Sequence, residues 1–261
     1  MENNEFENQQ PVPPAKKAEV SEPPQMSEVA SVGNVFFEPG NVFDDMRRKP
    51  RFLIAGLIVL AAISIFQIAL IEKIGFKEIT RSRIEASSQT RDMDKAQKAQ
   101  IVEQQGGDMI KYVTYGATPV VVAIVFLIGG LLYWGMASAM GGNGKFLGGV
   151  SVWVYASLPP AILFTVANLI VLFLKSVDDI DLANSQQGLV KANPSFFIDA
   201  NANPVLAALL SSIDLFAIWG WVLAAIGLQR VFKLSSGSSW AIVLIFALIG
   251  VGVKVVGALF F

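Results

Sequence analysis

The chain has 261 residues, 20 Lys and Arg against 21 Asp and Glu for a net charge of −1, and neither Cys nor His. That composition excludes disulfides, thiolate and imidazole metal sites, cysteine nucleophiles, histidine bases and lipoprotein-type cysteine acylation. The balanced charge excludes a globally basic nucleic-acid binder, so no nucleic acid is expected among the partners. Apolar residues make up 53% of the chain, little above the ~45–50% of soluble proteins, but they are unevenly placed. Uncharged runs cover 52–71, 112–144, 146–174 and 234–253, and a fifth apolar stretch, 205–232, is interrupted only by Asp214 and Arg230. About 20 helical residues cross a hydrocarbon core about 30 Å thick. Five stretches reach that length, which predicts an all-α, polytopic integral membrane bundle of five transmembrane helices, with the lipid bilayer as its first partner.

Residues 1–34 carry five prolines and six Glu against Lys16 and Lys17. Such a segment cannot bury enough apolar surface to offset chain entropy, so a disordered acidic tail is expected, most simply a solubilising leader. The first apolar run is too long and starts too late for a cleavable signal. In 35–51, VFFEPGNVFDDMRRKPR, the apolar Phe36, Phe37, Val42, Phe43 and Met46 are placed on the membrane surface. Arg47, Arg48, Lys49 and Arg51 form an interfacial basic cluster at lipid head groups, and Asn41 is a candidate cap.

The expected spans are about 52–71, 117–140, 150–174, 205–232 and 239–261, within a membrane domain covering 35–261. Between the first two, 72–111 has eight Lys and Arg against seven Asp and Glu. Four-residue spacings such as Arg81/Glu85 and Asp94/Lys98 predict a charged, solvated helical excursion ending near Gly106 and Gly107. The turn 141–149 is Gly-rich but lacks phosphate-loop order. Pro159 and Pro160 inside the third span predict a kink or helix break. The acids Asp178, Asp179, Asp181 and Asp199 in the next loop lack a calcium-loop pattern, and no metal site is assigned. In the fourth span Gly220, Ala224 and Gly227 recur at helical spacing, a candidate helix-packing face.

Two charges fall inside spans, Asp214 and Lys254. Asp214 lies 21 residues before Ser235 and Lys254 lies 19 after it, so in an antiparallel hairpin their depths agree within ~3 Å. They form a candidate intramembrane polar pair. A neutralising contact is the simpler role; a proton or ion relay would need further polar groups, and Asn168 and Gln67 are the candidates. The bases ahead of the first span favour a cytoplasmic N-terminus, which five spans convert into an outside C-terminus, although the 72–111 loop carries more Lys and Arg.

Three segments, FFEPGNVFDDMRRKPRF, GGNGKFLGGVSVWVYASLPPAIL and SSIDLFAIWGWVLAAIGLQRVF, together resemble the Yip domain family, Ypt/Rab-interacting membrane proteins and their bacterial relatives. The resemblance covers 35–261 and implies a helical bundle with a cytoplasmic N-terminus and no enzymatic activity. Eukaryotic members engage prenylated small GTPases and one another. The long charged first loop departs from their closely linked first two spans, which speaks against a small-GTPase contact. Asp214, Phe216, Trp219 and Gly227 match the family's fourth-span pattern, in structural roles. The expected function is a non-catalytic scaffold binding other membrane proteins or itself, in a bacterial cytoplasmic membrane, without cofactor or catalytic residues. The alternative is a small permease or channel subunit with a polar path beside the kinked third span. An enzyme is the weakest reading, because no serine is spaced convincingly from Lys254.

Overall fold

The computed structural model describes residues 23–180, 182, 188–198 and 202–260. Among them there is no strand and there are ten α-helices. In chain order these are α1 (Glu28–Asn34), α2 (Pro39–Arg48), α3 (Leu53–Ile74), α4 (Phe76–Ala86), α5 (Lys95–Gln105), α6 (Asp108–Ala139), α7 (Phe146–Leu174), α8 (Pro204–Leu210), α9 (Leu215–Phe232) and α10 (Ser236–Phe260). Five of them, α3, α6, α7, α9 and α10, are long and apolar enough to cross a membrane.

Helix α7 is the central one, packed against α3, α6 and α9. It runs parallel to α3: Gly56 lies beside Val154 at one end, the Thr165 hydroxyl donates to the Ala62 carbonyl at 3.2 Å, and the Lys73 ammonium donates to the Lys175 carbonyl at 2.7 Å. Lys73 also donates to the Leu172 carbonyl, so it satisfies carbonyls left over at the end of α7. A Cβ on Gly149 would stand 2.2 Å from the Gly130 carbonyl oxygen. Helices α6 and α7 therefore meet backbone to backbone, an approach that side chains would block. Lys233, in the left-handed region at φ 56°, turns the chain from α9 into α10. The Asn143 amide donates to the Phe232 carbonyl at 2.9 Å, which joins the two short turns at one end, the near end. Helices α4 and α5 and the described parts of the 175–214 connection occupy the far end.

Four expectations change. The fourth span is not one helix. The Ser211 and Ser212 hydroxyls bond back to the Ala208 carbonyl, each at 2.9 Å, and Asp214 caps a new helix by accepting from the amides of Phe216 and Ala217 at 2.9 and 3.3 Å. The second span begins earlier, at Asp108, because its polar first turns find partners on α3: Lys111 pairs with Glu72 at 2.7 Å and the Tyr115 hydroxyl donates to Glu72 at 2.9 Å.

Pro159 and Pro160 do not break α7, which is continuous through both. The Ala156 carbonyl that Pro160 deprives of a donor faces the backbone of Gly220, whose Cβ position lies 3.6 Å away, a close approach of the kind that lets membrane helices keep proline. The charged excursion is an antiparallel pair of helices. Asp94 and Gln97 form a reciprocal capping box that starts α5, and Arg81 bonds Glu78 at 2.8 Å, in place of the spacings expected from Asp94/Lys98 and Arg81/Glu85.

Candidate functional site

The segment 25–51 is folded, against the expectation of a tail reaching to residue 34 and an apolar stripe on the membrane surface. Residues 1–22 of that tail lie outside the described residues. Val42, Phe43 and Met46 are fully buried, with α2 packed on α9 and α7. The physical reason is Gly227, whose missing side chain leaves room for the Phe43 ring on α9; a Cβ there would stand 3.0 Å from it. Phe36 packs edge-on to Trp219 with centroids 6.1 Å apart. Within 25–51, Phe37 alone remains a largely exposed aromatic, at 86%.

Beneath α2 lies a buried ion pair. Asp45 is fully buried and pairs with Arg51, with Arg48 3.7 Å away. Its two oxygens also accept from the backbone amides of Gln25 at 2.6 Å and Met26 at 3.3 Å. Arg51 donates to the Met26 carbonyl at 2.6 Å. Arg51 thus leaves the expected head-group cluster, because a carboxylate and a carbonyl inside the fold satisfy it; Arg47 and Lys49 stay exposed. Glu28 caps α3 by accepting from the Ile54 amide at 2.9 Å. Sequence reasoning missed Glu28 and Asp45. The available signal was an acid six residues before Arg51, across Pro50 from the first span. The Tyr155 hydroxyl and Arg51 Nε are buried without a partner among the described residues.

A second site lies between α7, α9 and α10, where a cleft of about 520 Å³ is lined by Asp214, Lys254, Pro160, Gly220 and Gly250 among others. Asp214 and Lys254 share this cleft but no ion pair joins them. Asp214 is occupied by the start of α9 and by the Asn193 amide at 3.1 Å, and the Lys254 ammonium donates to the Ser211 carbonyl at 3.3 Å. The expected pairing is corrected for a simple reason: the chain breaks at 211–214, so Asp214 sits at a helix start and not within one. Of the candidate packing face, Ala224 is buried, Gly227 lies under Phe43 and Val152, and Gly220 lies over Ala156 and Pro160.

The polar residues expected near the third span are committed to structure. Asn168 is fully buried; its amide donates to the Phe164 carbonyl at 2.8 Å, and its oxygen accepts from the amides of Leu189 and, at 3.0 Å, Val190. Gln67 accepts from the Thr118 hydroxyl at 2.7 Å. Among the described residues no group of three acids is placed to hold a metal; Asp181 and Asp199 lie outside them.

A family model for the Yip1 domain matches residues 33–259. The chain is also similar to the "Membrane protein YknW" of Bacillus subtilis, 26% identical over 236 residues that cover 90% of each chain. No solved structure matches.

Proposed function

The chain belongs to the Yip1 domain family, and from that premise we propose that it is a non-catalytic membrane scaffold that binds other membrane proteins. The observation that carries this reading is the exposure of α10. Only 11% of its apolar stretch is buried within the chain, against 39% for α3 and for α9. Gly252 and Gly257 have open space where a side chain would be, beside exposed Val253 and Val256. Small residues in a lipid-facing helix allow another helix to approach closely. The antiparallel α4–α5 pair offers a second, charged surface outside the bilayer.

The permease reading finds less support, since Asn168 spends both its polar atoms and Gln67 its oxygen on the fold. The bases before α3 and in the short turns at the near end support a cytoplasmic N-terminus and an outside C-terminus. The Bacillus relative supports a bacterial cytoplasmic membrane.

Photo-crosslinking in native membranes tests the scaffold. A photoreactive residue in place of Val253 or Val256 is expected to give discrete protein adducts, while one in place of buried Val152 gives none. Adducts to lipid alone would overturn the reading. So would ion or solute flux in liposomes that disappears with Asn168→Ala.

A further inference from the structure

The cleft carrying Asp214 and Lys254 has the dimensions of one membrane leaflet. Its α10 wall runs from Lys254 to Val243, eleven residues or about 16 Å of helix, close to half of the ~30 Å hydrocarbon core. Its volume of about 520 Å³ lies within the ~300–1,000 Å³ typical of ligand sites. Ala217 and Gly220 on α9 and Ala247 and Gly250 on α10 line it, and these small residues keep the groove open. At the deep end the Tyr133 ring lies against Trp153 and Phe246, with centroids 4.9 and 5.8 Å away.

The charges in this cleft are confined to its mouth. Lys254 uses one hydrogen bond, to Ser211, of the three an ammonium donates. Asp214 accepts from two backbone amides and Asn193, short of the roughly four acceptor positions of a carboxylate. Lys254 alone would select an anion. An acid beside it repels a purely anionic headgroup but suits one carrying both a phosphate and a protonated amine. We propose that the cleft binds an aminophospholipid, with its phosphate at Lys254, its ammonium at Asp214 and one acyl chain along the Ala217, Gly220 and Gly250 groove toward Tyr133. This site is independent of the scaffold reading.

Native mass spectrometry of the full chain released from nanodiscs of phosphatidylethanolamine, phosphatidylcholine or phosphatidylglycerol tests the proposal. One retained phosphatidylethanolamine is expected, favoured about tenfold over phosphatidylcholine, or about 1.4 kcal/mol, because a quaternary ammonium cannot donate to Asp214. Gly250→Leu places a branched side chain in the groove from a position whose Cβ has nothing within 4 Å; it should abolish retention. Asp214→Asn keeps an N-cap acceptor and should move the preference to phosphatidylglycerol. A wild-type preference for phosphatidylglycerol, equal retention of all three lipids, or retention unchanged by Gly250→Leu would each overturn the proposal. A retained second copy of the chain, lost in Gly250→Leu, would also overturn it by giving the groove to self-association.

Discussion

Asp45 has both oxygens occupied inside the fold, by Arg51 and by the amides of Gln25 and Met26. Removing one member of a buried pair strands the other charge away from water, at a cost of about 3–5 kcal/mol. Asp45→Ala should therefore lower the thermal midpoint in detergent by many degrees; an unchanged midpoint would show that solvent reaches Arg51. The opposite case is Glu103, which meets Lys77 at the exposed rim of the α4–α5 pair. The neighbouring ammonium holds its carboxyl below the usual glutamate range. A lowered folded value gives support that is complete above that range and is lost as pH falls below it through the lowered folded value. Amide exchange at the end of α5 should accordingly speed up on acidification relative to Glu103→Gln, whose exchange lacks this pH step, and salt should shrink the difference. Parallel behaviour of the two proteins would remove the pair from the account.

The five membrane-length helices were readable because a span needs only local uncharged length; the i, i+4 and i+7 spacing of Gly220, Ala224 and Gly227 is equally local. What that spacing does not encode is how tightly each small residue is enclosed. A Cβ on Gly227 would lie 2.7 Å from Val152, whereas one on Gly220 would stand at ordinary contact, 3.6 Å from the Ala156 carbonyl. Gly227→Ala should therefore cost about 1–3 kcal/mol through overpacking, and Gly220→Ala should be nearly neutral, as compared by thermal unfolding. Equal effects would mean that α2 adjusts freely on α9. The fold of 25–48 was illegible for a related reason. Proline, Glu and Gln describe its first half as disordered, and burial of Val42, Phe43 and Met46 depends on a groove formed by residues about 180 positions later. Likewise Asn168 reads as an intramembrane polar group, while its actual partners, Leu189 and Val190, belong to a loop whose path no local rule supplies. The division at 211–214 was hidden by apolar content continuing across it.

At the scale of the whole molecule, the near end gathers α1, α2 and both short turns, and the far end carries the α4–α5 pair and the described parts of the 175–214 connection. The absence of cysteine makes the chain a clean background for labelling. Cysteines replacing Asn143 and Ser235 should react with an impermeant maleimide from the cytoplasmic side, and one replacing Asp92 from the opposite side. Labelling of all three from one side would contradict the five-span arrangement. The seat of α2 on α9 also orders assembly in time. Residues 39–48 leave the ribosome before α3, yet Phe43 has no place to rest until α9 has been synthesised and inserted, about 190 residues later. During that interval Val42, Phe43 and Met46 lack their cover, which makes them a hazard for aggregation and a mark of incompleteness. A chain truncated before α9 never gains that cover, so the seating of α2 reports whether α9 is in place.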